Sequence, residues 1–172
     1  LVPSAAFVEP IAALGASRDR IVYFPNAYIP EQFVSAESAG DATALAERIA
    51  CGFSVVFAGN LGVAQSLETV LDAAERLQMA GMSVRFFLVG SGSRSDWLKD
   101  QIRQRKLTNV EAPGRFPPES MGLIYAAASA LLVSLRDEPI FAMTIPSKVQ
   151  GYLAAGRPVI AYTHADLQGV GA

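Results

Sequence analysis

The chain has 172 residues, 51% of them hydrophobic and 17% charged, with a mean hydropathy of +0.30. That is enough apolar material for one domain with a real core, and it excludes a disordered or low-complexity chain. The formal charge of −2 comes from 14 basic and 16 acidic residues with no basic tract, which argues against a nucleic-acid partner.

A single cysteine, Cys51, leaves no internal disulfide and suits a reducing cytoplasm. Leu1-Val2-Pro3 lacks the basic start and sustained apolar core of a signal peptide. The apolar runs are short, none near the ~20 residues of a membrane span. The expected location is therefore cytoplasmic.

In chain order, residues 4–14 read as a helix and 20–24 as a strand leading into a turn at Pro25-Asn26. Residues 35–50, rich in Ala, Ser, Glu and Asp, read as a helix or a surface connection. From Phe53 the pattern becomes regular. A strand at 54–58 precedes a helix at 64–80, where Leu67, Val70, Leu71, Ala74 and Leu77 form one apolar stripe. A strand at 84–89, a helix at 94–106, a strand at 109–112, a helix at 118–128 and a strand at 130–135 follow. Strands separated by helices of this length predict right-handed βαβ units in a doubly wound parallel sheet, buried on both faces.

The last unit is the most informative. Ser147 reads as an N-cap and Gln150 as its capping-box partner, so a helix starts near Lys148. Val149, Tyr152 and Leu153 share one helical face, Gly156 suits a left-handed stop, and 158–162 is an apolar strand. A helix start joined by a lysine ammonium is suited to a phosphate or diphosphate. An ordinary αβ unit whose capping box is only structural reads the same way.

Ligands of such sheets bind beyond the carboxyl ends of the strands. The loops there are Gly59-Asn60-Leu61-Gly62, Gly90-Ser91-Gly92-Ser93, Gly114-Arg115-Phe116 and Arg136-Asp137-Glu138-Pro139. Their glycines let backbone approach a ribose or phosphate, although tight turns need glycine for geometry alone. Gly90-x-Gly92 starts like a dinucleotide fingerprint, but Ser95 stands at its third position. The phosphate-loop motif Gly-x4-Gly-Lys-Ser/Thr is absent. One histidine, His164, and one cysteine give no basis for a metal site or a nucleophile triad.

Taken together, these residues resemble the C-terminal donor-binding domain of a GT-B glycosyltransferase of the family 4, or glycosyl transferases group 1, type. Val56 to Gly62, Phe87 to Gly92, Gly114-Arg115-Phe116 with the run from Tyr125, and Pro146-Ser147-Lys148 with Tyr152 to Ile160 carry the likeness. Residues 20–27 resemble the strand and turn that enter the domain. On this reading 1–50 is an entry segment and linker, and 51–172 a Rossmann-like domain truncated at both ends. The nearest likeness is to bacterial enzymes of O-antigen, capsule or exopolysaccharide synthesis.

The resemblance implies a retaining transfer from a nucleotide diphosphate sugar, a UDP-sugar first, to a lipid-linked or saccharide acceptor. It implies no cofactor and no obligatory metal. It assigns donor contacts to Gly59, Asn60, Gly62, Gly90, Gly92, Gly114, Arg115, Phe116, Ser147, Lys148 and Gln150, with Lys148 on the leaving diphosphate. The sequence departs from the pattern at four places. Met143 and Gly151 stand where many members carry a pair of glutamates, and Asn60 and Gln65 where an Arg and a Lys often meet the diphosphate. Positive charge then falls to Lys148, with Arg115 or Arg136 beside it, and Glu138 is the candidate replacement for the missing acid. An acceptor domain of the same enzyme is an implied partner, without which donor binding is expected to be weak and turnover absent. Peripheral attachment at the inner face of a membrane fits a lipid-linked acceptor. The competing readings are a non-hydrolysing sugar-nucleotide epimerase, a nicotinamide oxidoreductase and a non-catalytic binding module.

Overall fold

The computed structural model describes residues 1–26 and 36–163. Apolar runs bounded by glycine become five strands: β1 (Phe53–Asn60), β2 (Val84–Ser91), β3 (Val110–Gly114), β4 (Ala130–Ser134) and β5 (Val159–Tyr162). They form one sheet in the order β3-β2-β1-β4-β5, with every pairing parallel. The expected doubly wound sheet is present, each strand within two residues of its predicted ends.

Seven α-helices accompany the sheet among the described residues: α1 (Val8–Ala13), α2 (Ala36–Ala50), α3 (Leu67–Met79), α4 (Ser95–Gln104), α5 (Met121–Ala127), α6 (Pro139–Ala142) and α7 (Lys148–Ala154). Side chains alternate across a strand, so β1 feeds both layers of the core. Val55 and Phe57 pack with Leu67, Leu71 and Leu98 of α3 and α4. Val56 and Ala58 face the other way, toward Leu45 and Ile49 of α2, Ile124 of α5, and Val149 and Tyr152 of α7. The chain winds outward from β1 to β3, then returns to build β4 and β5 on the opposite side. The switch point of the sheet therefore lies between β1 and β4, where doubly wound folds leave a crevice.

Three expectations change. Residues 20–24 are not a sheet strand: Arg18–Arg20 form a 3-10 turn and Tyr23 makes one isolated bridge to Val2. Val22, Tyr23 and Phe24 are exposed, so this apolar run has no core to enter among the described residues. Helix α6 went unread, because four residues are too few to carry a period. Leu153 is exposed, and the buried face of α7 is Val149, Gly151 and Tyr152. Gly156 does end the last turn of α7 with φ +65°, as expected. His164 lies outside the described residues.

Candidate functional site

Two cavities open at the carboxyl ends of the strands. One, about 390 Å³, is bounded by Gly59, Asn60, Gly90, Arg115, Phe116 and Tyr125. The other, about 510 Å³, lies between β1 and α7 and includes Gly59, Asn60, Gln65, Thr144, Ser147 and Lys148. They share Gly59, Asn60 and Tyr125, so together they form one trough across the switch point. A small recess of 120 Å³ adds Gly90 and Gly114 behind β2. A further cavity of 360 Å³ under α3 is lined by apolar side chains and the hydroxyls of Thr69, Ser134 and Tyr162, with no charged side chain to meet a diphosphate.

Among the described residues, Lys148 is the only Lys or Arg lining the larger cavity. Its side chain turns inward: Nζ lies 3.6 Å from the centre of the Phe57 ring and donates to Gln65 Oε1 at 3.1 Å. No carboxylate pairs with it among the described residues. Burial without a counter-charge pushes its pKa down to about 7. A ring face and a neutral amide hold the cation in place while leaving its charge uncompensated. An anion entering the cavity would supply what the protein does not.

The seat is rigid on the β1 side. Ala58 N–H donates to the Tyr152 hydroxyl at 2.8 Å, tying α7 to the residue before Gly59. Tyr152 is fully buried, and Tyr125 meets its ring edge-on at 5.1 Å between centroids. Burial also raises the pKa of the Tyr152 phenol, so it remains a neutral hydrogen-bonding group. Its place on the apolar stripe was readable, but the hydroxyl's bond to Ala58, across 94 positions, was not. Gln65, read only as a missing lysine, is in fact the hydrogen-bond partner of Lys148.

The predicted glycines divide by what requires them. Gly90 has φ +141°, and a Cβ there would stand 1.8 Å from the Gly59 carbonyl oxygen. At Gly92 a Cβ would stand 2.5 Å from the Leu61 carbonyl oxygen, and its N–H donates to Ser95 Oγ. At Gly62 a Cβ would meet the Asn60 side-chain amide at 2.6 Å. Packing alone thus accounts for glycine at 90 and 92. At Gly59, with φ +134°, the nearest atoms are Lys148 Nζ and Cε at 3.2 and 3.3 Å. Gly114 has φ +94° and open space about it.

Other candidates fall outside the trough. Glu138 is exposed at the start of α6 and lines neither large cavity, as do Gly62 and Gly92. Arg136 turns to Glu68 at 3.7 Å, and Arg94 pairs with the same carboxylate. Burial raises the Glu68 pKa, but its backbone hydrogen bond and the two guanidiniums outweigh that and hold it below the usual value. The capping box does not form. Ser147 is already helical (φ −58°, ψ −26°) and makes no cap bond, because Val149 N–H donates instead to the Pro146 carbonyl at 3.0 Å. Gln150 Nε2 reaches the Asn26 carbonyl at 3.4 Å, and its buried Oε1 has no partner.

Comparisons with known proteins bear on the family and the fold. Residues 52–170 match the family model described as glycosyl transferases group 1. A protein of Escherichia coli K12 described as a colanic acid biosynthesis glycosyl transferase, WcaI, is 28% identical over 151 residues, covering 83% of this chain and 35% of that protein. WbjE of Pseudomonas aeruginosa, described as a glycosyltransferase, is 29% identical over 105 residues, or 61% and 26% of the two chains. The chain thus spans about a quarter to a third of these relatives. Among solved structures, HepE of Anabaena in complex with UDP and glucose superposes with a TM-score of 0.66 at 17% identity, over 95% of this chain and 44% of that one. The lipopolysaccharide glycosyltransferase WaaG gives 0.63 at 17% identity, over 88% and 41%. At such identities the structural likeness carries the fold, the Rossmann-like domain of GT-B enzymes. The chain belongs to the glycosyl transferases group 1 family.

Proposed function

We propose that this domain holds the nucleotide diphosphate sugar, a UDP-sugar, for a retaining glycosyltransferase of bacterial surface polysaccharide synthesis. The observation that carries the reading is the shared trough at the switch point, with an uncompensated Lys148 ammonium at one end and Arg115 and Phe116 at the other. HepE, solved with UDP and glucose, and WcaI, described by its colanic acid role, support the choice of donor and pathway class. The base stacks at Phe116 and bonds main-chain groups near Gly114. Ribose and phosphates pass over Gly59 and Asn60.

In the reaction, the bond from the anomeric carbon to the diphosphate oxygen breaks and a bond to an acceptor oxygen forms. Negative charge develops on the departing diphosphate oxygen, which takes up the proton that the acceptor hydroxyl gives up. Lys148 meets that charge as it develops, which stabilises the transition state more than the ground state. No metal is required in this scheme. The acceptor is lipid-linked or a saccharide and is contributed with a second domain of the same enzyme, at the inner face of the membrane. No helix among the described residues is long and apolar enough to cross a membrane.

The test is amide NMR of the labelled chain titrated with UDP, GDP, ADP and NADH at millimolar concentration. UDP is expected to shift Gly59, Asn60, Gly90, Arg115 and Phe116 together. If all three diphosphates leave these signals unmoved, the donor-site reading fails. A response to NADH alone favours a nicotinamide site.

A further inference from the structure

The Lys148 ammonium is held by a group that is itself unusually well fixed. Gln65 sits in the turn between β1 and α3, and its backbone is tied at both ends. Its N–H donates to the Gly62 carbonyl at 3.3 Å, and its own carbonyl accepts from Ser134 Oγ, at the end of β4, at 2.5 Å. Ser134 is buried, so this anchor belongs to the sheet itself. From that fixed backbone the Gln65 amide reaches Nζ at 3.1 Å, with the Phe57 ring on another side and Gly59 on a third. A glutamate at 65 would fit the same space and neutralise the cation. Glutamine holds it without doing so.

We infer that Gln65 is a positioning residue: its side-chain carbonyl tethers the Lys148 ammonium at the trough without neutralising it, so that its charge is kept for the diphosphate of the donor. The inference rests on the donor-site reading for its ligand, but the tether itself is a property of the free protein. Few other titratable groups complicate it. Tyr125 lines the cavity from α5, and Tyr152 of α7 is buried behind it and engaged with Ala58. Glu68 on α3 and Arg136 after β4 pair with one another. A diphosphate beside Lys148 favours its charged form, so binding above neutral pH takes up about one proton.

The experiment compares the wild type with Gln65→Glu, Gln65→Met and Lys148→Ala, each checked for folding by its amide NMR spectrum. In the free protein, the Lys148 titration is followed by the carbon shift of its Cε. Gln65→Glu is expected to raise its midpoint toward the ordinary lysine range, because a carboxylate now faces the ammonium. An unchanged midpoint overturns the tether. With UDP at pH 8.5, calorimetry in two buffers of different ionisation enthalpy is expected to register proton uptake in the wild type and none in Gln65→Glu. Affinity is expected to fall about 10-fold or more in Gln65→Glu, and less in Gln65→Met, where the ammonium is released but not opposed. Equal UDP affinity in the wild type and Gln65→Glu overturns the proposal. A wild type that ignores UDP overturns the donor-site reading instead, and the free-protein titration then decides the tether alone.

Discussion

β1 ends and runs on as Gly59-Asn60-Leu61-Gly62, and β2 ends and runs on as Gly90-Ser91-Gly92-Ser93. The two loops are neighbours in the sheet, with Gly59 and Gly90 paired in register, and both glycines have positive φ. What forbids a side chain differs. At Gly90 the obstacle is the backbone of β1 itself, 1.8 Å away, whereas at Gly59 it is the end of the Lys148 side chain at 3.2 Å. The first glycine lets the sheet close, and the second lets a charged group lie against the strand. A glycine-rich loop beyond a strand is therefore not one kind of evidence. Only the β1 loop ties its glycine to the chemistry of the site.

Substitution should separate the two most sharply at Gly90. A methyl there cannot be accommodated unless the β1–β2 register opens. Gly90→Ala is expected to lose about 3 kcal/mol or more in urea unfolding, from backbone strain and overpacking together. Gly59→Ala meets a flexible chain end and should lose only the strain, about 1–3 kcal/mol. Equal losses at the two positions would remove the distinction.

Lys148→Ala comes next and acts chiefly on the functional side. Loss of a charged hydrogen bond worth roughly 1.5–3 kcal/mol should weaken diphosphate binding about 10- to 150-fold while the fold survives. In the intact enzyme turnover should fall more than the donor Michaelis constant rises. Unchanged binding and turnover would return Lys148 to a purely structural role. The same variant changes the pH dependence of stability. The folded Lys148 titrates near 7 and the unfolded lysine near 10.5, so between these values the unfolded chain binds the extra proton. Its contribution to wild-type stability therefore rises with pH across that interval, and Lys148→Ala should lack that rise.

A smaller effect is expected at Tyr152, which belongs to both sides of the comparison. Tyr152→Phe keeps the ring in the core but leaves the buried Ala58 N–H without its 2.8 Å partner. The cost should be about 1 kcal/mol or somewhat more in thermal or urea unfolding. With the strand freed beside Gly59, UDP affinity should fall as well. A loss of stability with UDP affinity intact would confine Tyr152 to packing.

The sheet was legible because buried parallel strands read as unbroken apolar runs ended by glycine, as in Val55–Ala58 and Phe86–Val89. Residues 20–24 show the limit of that signal. They have the composition of a strand, yet Val22, Tyr23 and Phe24 are exposed, so composition failed where burial was missing. The edge that carries the trough was legible from the parallel topology, which puts ligand loops beyond the carboxyl ends of the strands, whereas the strand order that locates the switch point came from the structure. The inward turn of Lys148 was not legible, because it depends on Phe57 and on Gln65, 83 positions away. Gln65 looked like an absence of charge and is the group that aims one.

The smallest effect is expected where the sequence signal was most explicit. Ser147 and Gln150 stand at capping-box spacing, and a formed Ser cap is worth about 1 kcal/mol. Here Ser147 has helical dihedrals, its hydroxyl makes no cap bond, and the Pro146 carbonyl accepts the Val149 N–H in a tight turn. Pro146 disfavours the α region for the residue before it, which keeps the helix from starting at Ile145 and leaves the turn at Pro146–Val149 to begin it. Ser147→Ala should therefore change stability by no more than about 0.5 kcal/mol, the range of an ordinary surface substitution. A loss near 1 kcal/mol would mean that the box forms in solution. The start of α7 would then be set by its cap, and Lys148 would owe its position to the helix rather than to Gln65.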